Sequence, residues 1–147
     1  MPIAQTQGNF NTGRDCTIVV IHPIYGQVQL DNVTGFEAKQ DTVKLKSNRL
    51  DGVKMLADLP DGWSGSLNVD RGTPSLDSLM ANIEAAWIDQ GVYNNATMYQ
   101  YITEIGGAQT TWIYDNVALS LDDSGNWQPD AITKQKLGFQ ANRRRQV

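Results

Sequence analysis

One segment of this sequence repeats its apolar residues with the period of a helix, and nearly all the rest alternates with the period of a strand. The helical segment covers residues 73–91. Its apolar residues lie three and four apart: Leu76, Leu79, Met80, Ile83 and Trp87. Thr73 is a suitable cap, Pro74 suits the first helical position and Gly91 is a natural stop. The sequence therefore predicts a mainly β, α+β fold, an antiparallel β-barrel or sandwich with one flanking α-helix.

Length and charge restrict the classes of function. The 147 residues fit a single domain spanning the whole chain, with 40% hydrophobic residues to build a core. Sixteen acidic and twelve basic residues give a net charge of −4, which disfavours binding that neutralises phosphates. A negatively charged surface along which DNA moves without binding is compatible with this net charge, because like charges repel. Charged residues make up only 19%, so much of the polar surface is neutral and inexpensive to bury in contacts.

The two ends of the chain are predicted to be arms. Residues 1–14 are rich in Gln, Asn, Thr and Gly, so we expect a flexible N-terminal arm that only a neighbour orders. The start of the chain lacks the pattern of a signal peptide, and no apolar run reaches the length of a membrane helix. We expect the protein to be made in a reducing cytoplasm, since its one cysteine, Cys16, cannot form an intrachain disulfide. Residues 142–147 are predicted to form a C-terminal arm.

A basic hairpin is predicted at residues 41–59. Val43 and Leu45 alternate with polar residues, and Asp51 with Gly52 provides turn chemistry before the apolar pattern resumes. The hairpin holds four basic residues in an acidic protein: Lys44, Lys46, Arg49 and Lys54. It is therefore a candidate docking element for an acidic surface on another copy. A second turn is predicted at Pro60-Asp61-Gly62.

The strands after this hairpin have one apolar face. Trp63, Leu67 and Val69 alternate with small polar residues, so one face should be core and the other polar. Strands are expected at residues 98–105 and 110–121, and the change of apolar register near Asn116 predicts a bulge. The last strand places Leu137, Phe139 and Ala141 on one face.

No group of residues has the composition of a catalytic or metal site. His22 is the only imidazole, and the stretch Gly62–Ser66 departs from the G-x-S-x-G nucleophile motif in its last position and its context. The acidic turn at residues 122–126 lacks the glycine that a calcium loop needs. Carboxylates near turns, Asp58, Asp61 and Asp70, are read as surface acids. We predict a protein that is not an enzyme, with no catalytic residue, no cofactor and no metal.

The order of these features resembles the tail tube proteins of contractile-tailed bacteriophages. The resemblance rests on the stretch Asp61-Gly62-Trp63-Ser64-Gly65-Ser66, the Arg71-Gly72 step before the helix, and the terminal segment Leu137-Gly138-Phe139-Gln140-Ala141-Asn142-Arg143. It covers nearly the whole chain. It implies a structural virion protein whose homohexameric rings stack into the inner tail tube, a conduit for genome delivery inside a contractile sheath.

The resemblance also implies partners and surfaces. The partners are other copies of the chain, the tail sheath, baseplate and tail terminator proteins, and the tape measure protein and DNA in the lumen, held without specific binding and without a membrane. Such a protein is assembled in the bacterial host cytoplasm and resides in the virion tail. Contacts between rings or subunits are expected from Lys44, Lys46, Arg49, Lys54, Arg143, Arg144 and Arg145. Residues expected to line the lumen are Ser64, Ser66, Asn68, Gln100 and Glu104.

Three other interpretations stay open. The chain is also compatible with the inner tube of an R-type bacteriocin or a type VI-like secretion system, where the cargo is not a genome. A β-sandwich module that binds carbohydrate through exposed aromatic residues would instead be monomeric and bind sugar through its tryptophans. An enzyme would need a pocket that brings His22 together with a carboxylate and a hydroxyl.

Overall fold

The computed structural model describes residues 10–28, 30 and 32–147. Within them, a short 3-10 turn at Gly13–Asp15 precedes eight strands and one helix, α1, at Ser75–Gln90. The strands are β1 Cys16–His22, β2 Gly26–Val28, β3 Val33–Asn48, β4 Lys54–Asp70, β5 Ala96–Thr103, β6 Gln109–Asp123, β7 Lys134–Ala141 and β8 Arg143–Gln146. Most of the predicted N-terminal arm, residues 1–9, lies outside the described residues.

The strands form one antiparallel sheet in the order β2-β1-β5-β6-β7-β4-β3, with β8 also paired to β6. The prediction of a mainly β fold with one helix is confirmed. The sheet is not closed, because β2 and β3 stand at its two ends, so the described residues form an open sheet and not a complete barrel.

Strand β6 changes partners at a bulge. Its first half pairs with β5 and β8, and its second half pairs with β7. Asn116 has a φ of 52°, and the register with β5 moves from Ala96↔Val117 to Met98↔Tyr114, which leaves one extra residue in β6. The bulge predicted near Asn116 is confirmed.

The core lies between the bent sheet and the helix. Tyr114, at 0% exposure, contacts Phe36, Trp63 and Phe139 with ring centroids 5.7 to 6.2 Å apart. Helix α1 buries Leu76, Leu79 and Ile83 against this core. The last strand buries all three predicted residues: Leu137, Phe139 and Ala141.

The helix differs from its prediction in the position of its N-terminal cap and in the exposure of Trp87. The residue before its first turn is Pro74, and Thr73 contacts the Ser75 hydroxyl at 3.2 Å, so the predicted Thr73 cap is wrong by one position. Gly91 ends the helix in the left-handed conformation with φ 68°, as predicted. Trp87 is 59% exposed, contrary to prediction, and so is the rest of the last turn, since residues 87–90 are all exposed.

Strands β3 and β4 are much longer than predicted. The chain reverses at Arg49–Val53, where the Arg49 amide donates to the Val53 carbonyl at 2.9 Å. The turn predicted at Pro60-Asp61-Gly62 is wrong: β4 continues through it, and the register moves from Gln40↔Trp63 to Thr42↔Pro60. Gly62 uses its positive φ of 97° to form a bulge, where an added Cβ would lie 2.7 Å from the Ala141 carbonyl oxygen.

Candidate assembly surfaces

A small, polar face lies on the side of the sheet opposite the core. Ser64, Ser66 and Asn68 project from β4 between the side chains of β3 and β7. Ser64 and Ser66, together with residues of β3, β6 and β7, line an open basin of about 540 Å³. The Ser66 hydroxyl donates to a Glu37 carboxylate oxygen at 3.3 Å, and the Ser64 hydroxyl donates to Asp41 at the same distance. The face is therefore ordered by hydrogen bonds between neighbouring strands.

Gly138 forms the floor of this basin. It pairs with Ser66 on one side and Ser120 on the other. A Cβ added there would lie 2.5 Å from an Asp122 carboxylate oxygen and 2.9 Å from the Ser120 hydroxyl. The residue must be small, since a side chain would displace these polar groups from the sheet face.

The structure does not bring Gln100 and Glu104 to this face. Gln100 lies on β5 on the same side as buried Met98, where it accepts a hydrogen bond from the Tyr114 hydroxyl at 3.0 Å. Glu104 follows β5 and accepts from the Asn11 side chain at 3.4 Å. Of the five residues predicted to line a lumen, only Ser64, Ser66 and Asn68 share a surface.

The outer part of the β3–β4 hairpin, residues 42–60, is exposed on both faces. Cross-strand pairing places Lys44 opposite Asp58 and Lys46 opposite Leu56 on one face. The other face, which we call the hairpin stripe, is apolar except for one serine and consists of Val43, Leu45, Ser47, Met55, Ala57 and Leu59. Sequence reasoning identified the lysines but missed the stripe, because alternation shows that a face is apolar and not what covers it.

The tip of the hairpin is its most exposed part. Leu50 is fully exposed, at 109%, and Arg49 pairs with Asp51 at 3.1 Å. This ion pair is local and solvent-accessible, so it contributes little to stability. The tip thus presents a basic and an apolar side chain beyond the end of the sheet.

The C-terminal arginines form a strand and not a free arm. Arg143 and Arg145 both contact the Asp115 carboxylate of β6, at 3.8 and 2.9 Å. The Arg144 guanidinium stacks over the rings of Trp112 and Trp63, at 3.8 and 4.5 Å from their centroids. The prediction of a C-terminal arm is wrong, because partners distant in sequence hold these residues within the subunit.

The sheet has two open edges in its four-stranded half, β6-β7-β4-β3. Among the described residues, β3 pairs only with β4, and the second half of β6 pairs only with β7. The Tyr93 hydroxyl bonds both backbone groups of Leu119 on β6, at 3.1 and 3.4 Å. From Leu121 onward, no described strand other than β7 pairs with β6, so this edge is open within the part of the chain that the structure describes.

A groove of about 500 Å³ runs between helix α1 and this edge of β6. Its floor contains Met80, Ile83 and Leu121, and its rim contains Asp77 and Glu84. Asp77 is already paired with Arg71 at 2.9 Å and Gln135 at 2.7 Å. No salt bridge joins Glu84 to a described residue. Sequence reasoning did not identify this groove, because it joins residues of α1 and β6 that lie far apart in the chain.

The only histidine has a structural role at the end of β1. Nδ1 of buried His22 accepts hydrogen bonds from the amides of Ile24 and Tyr25, at 3.1 and 3.3 Å. Burial lowers the pKa of His22, an effect that the nearby Asn94 backbone opposes. The neutral imidazole thus holds the β1–β2 turn, and its hydrogen-bond partners are backbone groups and not catalytic side chains.

Within the described part of the chain, no group of three or more His, Cys, Asp or Glu residues is placed to hold a metal ion. No helix in the same part is long and apolar enough to span a membrane. The surfaces that the structure does provide are a polar sheet face, two strand edges, an amphipathic hairpin and an apolar groove.

No protein-family model and no curated protein matches the sequence. A chain in the cryo-EM structure of the anti-feeding prophage baseplate is 8% identical, with a TM-score of 0.56 over 95% of this chain and 97% of that one. A chain of the anti-feeding prophage cap is 16% identical, with a TM-score of 0.54 over 98% and 94%.

A third match is a chain in the sheath-tube complex of PVC, an extracellular contractile injection system, in the extended state. It is 14% identical, with a TM-score of 0.52 over 88% of this chain and 87% of that one. The fold is that of chains from contractile injection systems.

This fold is consistent with the resemblance of the sequence to tail tube proteins. At 16% identity or less, the likeness is one of fold, and it does not assign a position in the particle. Chains of this fold occur in structures described as a baseplate, a cap and a sheath-tube complex. The role of this chain is therefore inferred from its own surfaces.

Proposed function

We propose that this protein is a structural subunit of a contractile tail or injection particle, forming rings that stack into an inner tube. The observation that carries the proposal is the four-stranded half sheet β6-β7-β4-β3, with a small polar face and an open edge on either side. Open edges invite pairing with another chain, and a contact between two different edges continues from copy to copy until the ring closes.

The strand directions allow this pairing. Neighbouring strands of the half sheet are antiparallel, so its first and last strands, β6 and β3, run in opposite directions. A copy placed beside another in the same orientation brings its β6 antiparallel to the neighbour's β3. Six copies would give a barrel with a backbone circumference of about 115 Å before strand tilt widens it.

In such a ring, the polar face would line the lumen. Ser64, Ser66 and Asn68 point away from the core, with carboxylates at Glu37 and Asp122 and an ammonium at Lys136 on the same face. Small neutral side chains with charges of both signs provide little basis for specific binding, which suits a conduit. The cargo is DNA if the particle is a phage tail, and replacing Ser64 or Ser66 with lysine should then slow DNA passage while rings still form.

Stacking of rings needs a contact along the tube axis. The hairpin tip extends beyond the sheet with Arg49 and Leu50 exposed, and it is our candidate for that contact. The arginines of β8 are poorer candidates, since Arg143 and Arg145 pair with Asp115 and Arg144 stacks on tryptophans of the same chain.

Electron microscopy of the purified chain tests the proposal. We expect rings or tubes with a central channel for the unmodified protein and for Ser64→Lys, and rings that do not stack for Leu50→Asp. A chain that stays monomeric at high concentration, in both microscopy and light scattering, would contradict the proposed function. Binding of a sugar by such a monomer, with protection of tryptophan fluorescence, would instead support the carbohydrate-binding alternative.

A further inference from the structure

The two open edges of the half sheet carry opposite charges on its polar face. Lys39 lies on β3 directly opposite Ser64 of β4, so its side chain projects from the polar face. Asp122 lies near the end of β6 and lines the polar basin, where it accepts a hydrogen bond from the Ser120 hydroxyl at 3.1 Å. Both charged side chains are exposed, and neither forms a salt bridge within the described part of the chain. Each edge therefore offers a charge that another chain can pair.

The two faces of the half sheet restrict the register in which these edges can pair. Side chains directly opposite each other in an antiparallel pair lie on the same face. Leu121 of β6 packs against the core, so its partner on β3 of the next copy must also face the core. Three residues of β3 meet this condition: Phe36 and Ala38 pack against the core, and Gln40 lies opposite Trp63, which does so too.

Closing the sheet into a barrel shifts neighbouring copies along the strands. Within one subunit, pairing joins Leu121, Leu137, Leu67 and Phe36 at one level. A neighbour placed without any shift would therefore bring Phe36 opposite Leu121. Barrel strands tilt by about 35–45°, and the half sheet is four strands wide, so the shift is about 13–19 Å. This distance corresponds to about four to six residues of a strand.

The extent of β3 selects one shift from this range. A shift of about four residues towards the hairpin places Gln40 opposite Leu121. A shift of about six would place Thr42 there, an exposed residue beyond the bulge at which β3 leaves the core. A shift of about four in the opposite sense would place Asn32 there, before β3 begins at Val33. Gln40 is therefore the partner that satisfies both the tilt and the faces.

The charges on the polar face favour the same register. In an antiparallel pair, the residue after Leu121 lies beside the residue that precedes its partner. With Gln40 as the partner, Asp122 lies beside Lys39. With Ala38 as the partner, Asp122 would lie beside Glu37, and like charges on neighbouring strands are destabilising. Strand tilt and charge thus select the same pairing from independent observations.

We propose that β6 of one copy pairs with β3 of the next in the register that places Gln40 opposite Leu121 and Lys39 beside Asp122. This inference deepens the proposed ring-forming function and rests on it for the presence of the neighbour. The ion pair fixes the register, because a slip of two residues replaces attraction between Lys39 and Asp122 with repulsion by Glu37.

Disulfide crosslinking distinguishes the registers. Ser120 lies opposite Asp41 of the neighbour in the proposed register, opposite Lys39 if Ala38 is the partner of Leu121, and opposite Glu37 without a shift. In a Cys16→Ser background, Ser120→Cys is combined in turn with Asp41→Cys, Lys39→Cys or Glu37→Cys, three positions on the same face of β3. Covalent oligomers are then measured on non-reducing gels after mild oxidation of the assembled protein.

We expect several-fold more covalent oligomer from Asp41→Cys than from the other two pairings. Rings crosslinked mainly through Lys39→Cys or Glu37→Cys, or through none of the three, would overturn the register and leave the proposed function standing. Open chains of copies crosslinked through Asp41→Cys that never close into rings would refute the proposed function and support the edge pairing.

Charge reversal tests the ion pair itself. Lys39→Glu alone and Asp122→Lys alone place like charges at every contact, so we expect several-fold fewer rings at low salt by sedimentation velocity. An equimolar mixture of the two variants should restore rings, because alternating copies again pair opposite charges. Asp89→Lys, the same charge change at the exposed end of α1, is the matched control and should assemble normally. Urea unfolding checks that each variant folds. A mixture that does not restore rings, or an equal loss in Asp89→Lys, would overturn the ion pair.

Discussion

The inner and outer halves of strands β3 and β4 have the same alternation of polar and apolar residues but different surroundings. In the inner half, residues 33–40 and 63–70, Leu67 and Val69 are almost completely buried in the core. In the outer half, residues 42–48 and 54–60, every residue is exposed, including the whole hairpin stripe. Apolar strand residues are stabilising only where something covers them, so the outer half indicates a surface completed by another molecule.

The largest difference in stability between the two halves should come from truncating an apolar side chain in each. Leu67→Ala deletes a side chain that is 1% exposed, and we expect it to lower the free energy of unfolding by about 2–5 kcal/mol. Leu45→Ala in the stripe should change it by less than about 0.5 kcal/mol in dilute, unassembled protein. Urea denaturation measures both. Equal losses at the two positions would contradict the distinction between the halves.

The junction between the halves should be sensitive to a single methyl group. Gly62→Ala must adopt a φ of 97° and approach the Ala141 carbonyl oxygen, and we expect a loss of about 1–3 kcal/mol. Gly52→Ala, in the hairpin turn at φ 86° with open space around it, has the strain without the close contact and should lose about 1 kcal/mol. If thermal or urea unfolding shows no difference between the two, the bulge does not hold β4 against β7.

The C-terminal strand should stabilise the inner half through one arginine. Arg144→Ala removes stacking on Trp112 and on Trp63 of β4, with an expected loss of about 1–2 kcal/mol and a change in tryptophan fluorescence. Arg143→Ala, whose 3.8 Å contact with Asp115 is exposed, should lose less than about 0.5 kcal/mol. A larger effect at Arg143 than at Arg144 would restore the idea of an arm that acts outside the subunit.

The smallest effect on stability should come from a change of pH, which acts through His22 at the far end of the sheet. Burial lowers the pKa of His22 in the folded protein, so the unfolded chain binds the proton more readily. The stability that this group contributes is complete above its ordinary pKa of about 6.5 and falls as the pH decreases below it. Unfolding midpoints at pH 8 and pH 5.5 measure the loss. His22→Gln removes the only histidine and should flatten this dependence, and an unchanged pH profile in that variant would refute the assignment.

The sequence predicted those parts of the fold that depend on local period. The helix, the bulge near Asn116 and the buried face of Leu137 and Phe139 follow from apolar spacing. The turn predicted at Pro60-Asp61-Gly62 was wrong, because a glycine with positive φ can form a bulge as well as a chain reversal. Local period also cannot reveal what covers a face, so the exposure of Trp87 required the three-dimensional structure.

Candidate surfaces were less predictable than the fold. The polar face of β4 was predicted from alternation, because Ser64, Ser66 and Asn68 lie on a single strand. Gln100 was misplaced in that group, since its bond to the Tyr114 hydroxyl joins two strands of the core side. The partners of Arg143–Arg145 and the α1–β6 groove also join distant parts of the chain, which no local pattern encodes.

Hydrogen–deuterium exchange of the assembled and the dilute protein tests most directly whether identical copies complete these surfaces. We predict that assembly slows exchange in residues 42–60 and in β6 from Leu121 to Asp123, while β7, paired on both sides within the subunit, changes little. Assembled particles whose hairpin and β6 edge exchange as fast as in the dilute protein would contradict the account.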